Sequence, residues 1–141
     1  MKAAIISQKS ISSQWIADSL RKYFESVDDL DIRDVEVNTT GKLDVLYNGE
    51  KLSDYDCVYI KGSYRYRPIM RAIATALYGK AYTPITPGAF TTANDKILTQ
   101  LELQKNKIAM PKTYLASTAE AAKRVLEKVN YPIIMKFPSG T

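Results

Sequence analysis

The chain has 141 residues, a formal net charge of +5, 45% hydrophobic and 25% charged residues, which is the length of one ordinary domain able to bury a core and excludes a disordered tail or a disulfide-stapled miniprotein. Histidine is absent and Cys57 is the single cysteine, so an intramolecular disulfide, a Cys/His zinc site, a Ser-His-Asp triad and an imidazole general base are all excluded. Any chemistry must use lysine, arginine, carboxylate, hydroxyl or bound metal, and the positive charge favours anionic partners.

The apolar run Ala3-Ala4-Ile5-Ile6 is too short for a signal peptide or membrane span, so a soluble cytoplasmic protein is expected. Lys2 to Ser7 reads as a buried strand. Ile16, Leu20, Tyr23, Phe24 and Val27 then fall at helical spacing behind a Ser12 or Ser13 cap, which suggests a βαβ unit. Ile32 to Val37 alternates charged and apolar residues like an edge strand. Asn48-Gly49 predicts a tight hairpin within Leu43 to Leu52. Tyr55 to Lys61 reads as a second buried strand, followed by Gly62-Ser63 where functional loops tend to lie. Trp15 and Cys57 are expected to be packing residues.

Pro68 opens a helix and Gly79 closes it, with Ile69, Ile73, Ala76 and Leu77 inward. Tyr82 to Gly88, with two prolines and a glycine, is the expected domain boundary. Beyond it Thr91 or Thr92 caps a helix that runs to about Lys105 with Ala93, Ile97, Leu98 and Leu101 inward. A short strand near Lys112 to Leu115 follows. The capping box Ser117-Thr118-Ala119-Glu120 starts a helix with Ala121, Ala122, Val125, Leu126 and Val129 inward, and Tyr131 to Lys136 is the last strand.

Four places are candidates for chemistry. Lys96 lies about one turn into its helix, near unpaired amides and the positive end of the macrodipole, where phosphate is attracted; it also reads as one solvated lysine among many. Lys136 closes an otherwise apolar strand, where a buried ammonium needs an anion unless it snorkels to solvent. Ser139, Gly140 and Thr141 are small enough for backbone amides to approach phosphate oxygens, although many turns share that composition. Tyr64-Arg65-Tyr66-Arg67 is either a solvated loop or a place where Arg65 and Arg67 grip a carboxylate or a nucleic acid.

Taken in order, Asn94-Asp95-Lys96, Thr99, Leu103, Ile108, Pro111-Lys112-Thr113 and YPIIMKFPSGT resemble the opening of an ATP-grasp enzyme. The first half, a βα unit with the YNGEKL hairpin and a strand starting at Asp56, is similar to the pre-ATP-grasp domain of RimK-type glutamate ligases. The resemblance implies an α/β fold: a three-layer, Rossmann-like parallel-sheet domain over residues 1–88, then the truncated first α+β subdomain of the ATP-grasp fold over 89–141. It also implies that Lys96 and Lys136 reach the nucleotide phosphates, with Ser139, Gly140 and Thr141 starting the loop over them. The cofactors so implied are ATP and Mg2+, and the partners an amino acid such as glutamate and a carboxylate acceptor, either a small molecule or a protein tail.

Such an enzyme forms an acyl phosphate and needs neither histidine nor cysteine. The magnesium ligands, the adenine-binding hinge and a catalytic arginine would lie beyond Thr141, so an N-terminal fragment, inactive alone, is expected. Its exposed apolar surface would then seat a second copy. A nucleic-acid-binding module and a flavodoxin-like regulatory domain are the other readings; scattered lysines argue against the first, and the second leaves the DK helix and the YPIIMK strand unexplained.

Overall fold

The apolar amino-terminal run forms β1 (Lys2–Ser7), buried from Ala3 to Ser7. The computed structural model describes residues 1–52 and 54–138 and divides into two compact units, Met1–Thr91 and Thr92–Thr141. In the first unit β1 leads to α1 (Ile11–Leu20), whose N-cap position is Ser10 and not Ser12 or Ser13, with no side-chain capping bond. The helix is shorter than its periodicity predicts, because Val27 belongs to a strand, β2 (Ser26–Asp31). Two consecutive aspartates, poor strand formers, hide that strand in the sequence. Trp15 and Tyr23 are exposed at 67% and 76%, so Trp15 is not a packing residue, whereas Cys57 is buried.

The expected strand from Ile32 is divided. Ile32–Asp34 is a 3-10 turn, and only Val35–Asn38 is extended, as β3. The hairpin follows as β4 (Asp44–Tyr47) and β5 (Glu50–Lys51). Asn48 and Gly49 both have positive φ, 52° and 79°, the backbone of a two-residue turn that matches strand twist. Then come β6 (Cys57–Ile60), a 3-10 turn over Tyr64–Tyr66, α2 (Arg67–Leu77) with Pro68 in its first turn, and α3 (Pro87–Thr92).

The strands β2-β1-β6 make a parallel sheet, and β3-β4-β5 make a separate antiparallel one. Alternation divides β1 between two buried faces, as a covered parallel sheet requires. Ala4 and Ile6 join Val58 and Ile60 against Met70, Ile73 and Ala74 of α2, with Val35 and Val45 from the hairpin sheet in the same cluster. Ala3 and Ile5 point the other way, and α1 packs on β1 and β2. The first unit is thus a parallel sheet between helices with a hairpin sheet added to one side.

The second unit holds α4 (Lys96–Lys105) and α5 (Ala119–Leu126). Thr91 and Thr92 end α3 and do not cap α4; the Asp95 carboxylate does, accepting from Ile97 and Leu98 amides. Thr118 caps α5 by accepting from the Ala121 amide at 3.1 Å, so the cap falls one residue after the Ser117 of the expected box. Ala121, Ala122, Val125, Leu126 and Val129 are half-buried, while Ala93, Leu98 and Leu101 are exposed. Neither expected strand forms: no described residue of 112–115 or 131–136 is in a ladder. Apolar segments become strands only against a partner edge, and here Ile134, Met135 and Phe137 stand 83%, 78% and 82% exposed. No helix among the described residues is long and apolar enough to cross a membrane.

Candidate functional site

Because β2, β1 and β6 run parallel, the segments leaving their carboxyl ends gather at one edge of the sheet, the usual ligand edge of such a fold. Gln8 and Lys9 follow β1, Arg33 follows β2, and Lys61 to Arg67 follow β6. The amide of Ser63 donates to Gln8 Oε1 at 2.9 Å, and Lys61 Nζ donates to Ser12 Oγ. These bonds fasten the loop after β6 to the start of α1. Gly62 leaves little space there: a Cβ on it would lie 3.0 Å from Met70 Sδ and 3.4 Å from Tyr66 Cβ.

Asp31 is buried at the same edge and takes a forked contact from Arg33, with Nε on Oδ1 at 2.9 Å and Nη2 on Oδ2 at 2.5 Å. The guanidinium's hydrogen bonds, helped by Arg33's own amide, hold the Asp31 carboxyl down at about 2. Arg33 is thereby committed to Asp31. Arg65 is exposed, its Cζ 5.9 Å from the centroid of the Tyr64 ring, and hydrogen bonding to Tyr64 raises its already high pKa. Arg67 is half-buried as the first residue of α2, a helix with no acidic residue in its first turn. The sequence singles out Arg65 and Arg67 but misses Lys9, Arg33 and Lys61. Their position just after the parallel strands was the available clue.

In the second unit Lys96 is the first residue of α4, not one turn in. Its amide donates to Pro138 O at 2.9 Å, while the Ile97 and Leu98 amides donate to Asp95 Oδ1 at 2.9 and 3.0 Å. The expectation of unpaired amides waiting for phosphate therefore fails, and an aspartate's charge already meets the helix dipole. The Lys96–Pro138 bond also brings the start of α4 to the segment two residues after Lys136. Lys136 is exposed and lies in irregular backbone, so it is not a buried ammonium closing a strand. Ser139, Gly140 and Thr141 lie outside the described residues. No group of three or more His, Cys, Asp or Glu residues fit to hold a metal occurs among the described residues.

Solved structures resemble this chain closely enough to fix its fold. The ATP-grasp ligase PsnB complexed with minimal precursor matches with a TM-score of 0.62 and 14% identity over 91% of this chain and 50% of that one. PsnB complexed with a phosphomimetic variant of minimal precursor, Mg and ADP matches with 0.62 and 14%, over 91% and 51%. PsnB complexed with precursor peptide PsnA2 and AMPPNP matches with 0.56 and 16%, over 91% and 51%. The fold is that of part of an ATP-grasp ligase. The chain spans about half the length of these structures, and at such identity the likeness is one of fold alone. No protein-family model and no curated protein matches the sequence.

Proposed function

We propose that the chain supplies one half of an ATP-dependent carboxylate–amine ligase of the RimK type, with residues 1–88 as the pre-ATP-grasp domain and 89–141 opening the ATP-grasp domain. The observation that carries this is the fold shared with an ATP-grasp ligase over 91% of the chain. In the reaction a carboxylate oxygen attacks the γ-phosphorus of ATP and ADP leaves. The amine of an amino acid, glutamate in our reading, then displaces phosphate from the acyl phosphate and loses its proton.

Phosphoryl transfer concentrates negative charge on the nucleotide oxygens, and positioned cations offset it. Lys96 and Lys136 are assigned that task, with Ser139, Gly140 and Thr141 covering the phosphates. The bond from Lys96 N to Pro138 O supports pairing them. Arg65 and Arg67, on the carboxyl edge of the parallel sheet, are assigned to the acceptor. Because PsnB is seen with a precursor peptide, the acceptor is proposed to be a peptide or protein tail. Magnesium would enter with the nucleotide; no described residue is assigned to it. A dependence on ATP suits a cytoplasmic protein.

The test is a nuclear magnetic resonance titration of the chain with ATP. Shifts at Lys96 to Thr99 and Lys136 to Pro138 that vanish in Lys96→Gln/Lys136→Gln are the expected result. Shifts confined to the first unit would remove both lysines from the nucleotide site.

A further inference from the structure

Ile11 and Trp15 lie one turn apart on α1, hence on the same side of it, and each is 67% exposed. The helix packs through its other side, where Ser13 and Ala17 are buried. Single apolar residues on a surface are ordinary, but this pair stands beside a cation that the fold holds in place. Ser12, a neighbour of Trp15 on the helix surface at three residues' spacing, accepts a hydrogen bond from Lys61 Nζ.

Lys61 is half-buried and pairs with no carboxylate among the described residues. Past it, the segments that leave the parallel strands, 8–10, 32–34 and 61–67, carry Lys9, Arg33, Lys61, Arg65 and Arg67 against Asp34, and Arg33 is already committed to Asp31. The apolar pair is therefore continuous, through Ser12 and Lys61, with a cationic edge of the sheet. Charge complementarity names an occupant that is apolar at one point and acidic at the next. A second copy fits poorly, because a chain of formal charge +5 brings like charge to this edge.

We propose that Ile11 and Trp15 dock an apolar residue of the acceptor peptide, while Lys61 takes a carboxylate a few residues along it and so directs the peptide toward Arg65 and Arg67. That the occupant is the acceptor rests on the ligase reading. An exposed tryptophan offers a large rigid contact for an apolar side chain, and the cations fix the direction in which the peptide lies.

Trp15 is the single tryptophan, so its emission reads the site directly. The probe is a synthetic peptide of two leucines, a glycine and three glutamates, titrated into the whole chain without nucleotide. A saturable blue shift of Trp15 emission is expected. Serines in place of the leucines, or Ile11→Ser in the chain, should weaken the peptide about fivefold or more; calorimetry on Trp15→Ser, a change at an exposed position, should show a similar loss. Lys61→Gln should weaken the peptide several-fold and leave a version with glutamines for glutamates unchanged. Equal binding of the serine peptide, binding that leaves Trp15 emission unmoved, or no binding would each overturn the proposal, as would a blue shift that grows with protein concentration alone and so assigns the face to a second copy. Failure of the ATP titration at Lys96 and Lys136 would bear on the ligase reading and leave this peptide result standing, which keeps the two failures distinct.

Discussion

The backbone amide of Lys96 donates to the carbonyl oxygen of Pro138 at 2.9 Å, so α4 begins by binding the chain that follows Lys136. With the Asp95 carboxylate accepting from the next two amides, this end of the helix is saturated from within. Asp95→Ala should therefore lower the stability of the second unit by about 1 kcal/mol. Asp95→Ser, which keeps a capping oxygen, should recover most of it. Denaturant titrations reporting the second unit check both, and an unchanged midpoint in Asp95→Ala would mean that the cap contributes nothing.

Much of the fold was legible because its indicators are local. The apolar run of β1, Asn48-Gly49 and Pro68 each dictate backbone conformation within a few residues, and each element formed there. What stayed hidden depends on partners distant in sequence. Ser26–Asp31 is a strand because β1 lies beside it, with Ile5 opposite Asp29, despite its acidic composition. Tyr131 to Lys136 has strand composition but no described partner edge, so composition misled. At the candidate site, residue types were readable at Arg65, Arg67, Lys96 and Lys136. The capping of α4 by Asp95 and the fork from Arg33 to Asp31 were not, since both depend on where side chains point.

The Asp31–Arg33 fork carries a pH signature. Asp31 titrates at about 2 when folded, against an ordinary 3.8, so its contribution to stability is fully present above about pH 4 and is lost as the pH falls toward 2. Asp31→Asn should flatten that acid limb of the stability curve. Arg33→Gln should return the Asp31 carboxyl toward its ordinary value, read directly from carboxyl carbon shifts. A wild-type Asp31 that titrates near 4 would contradict the fork.

Gly62 follows the last pair of β1 and β6 and starts the loop that carries Arg65. Its missing Cβ leaves space that Met70 Sδ, 3.0 Å away, and Ile32 Cδ1, 3.6 Å away, already border. Met70 is only 2% exposed, so it has little room to retreat. Gly62→Ala should cost about 1–3 kcal/mol by overpacking. Thermal unfolding of the variant measures this, and a neutral result would show that Met70 repacks freely.

Ile134, Met135 and Phe137 form an exposed apolar run in the second unit. Such a run favours association, so sedimentation should detect self-association that grows with concentration. Ile134→Lys/Met135→Lys should abolish it without changing the far-ultraviolet circular dichroism, since neither residue lies in a helix or strand. A wild-type chain that stays monomeric at high concentration would count against this.

Arg67 places a cation at the first position of α2, where the macrodipole is also positive and no acidic residue compensates. That arrangement is unfavourable for the free protein and favourable for an anion bound at the carboxyl edge of the sheet. Arg67→Glu should therefore stabilise the free chain by about 0.5 kcal/mol while weakening the proposed acceptor peptide, tested with an acidic sequence, several-fold. Arg65→Gln, which leaves the helix end alone, should weaken the peptide without raising the melting temperature. Calorimetry on the three proteins, with and without the peptide, separates the two effects. If Arg67→Glu gains stability and still binds the peptide as the wild type does, the acceptor is not held at this edge.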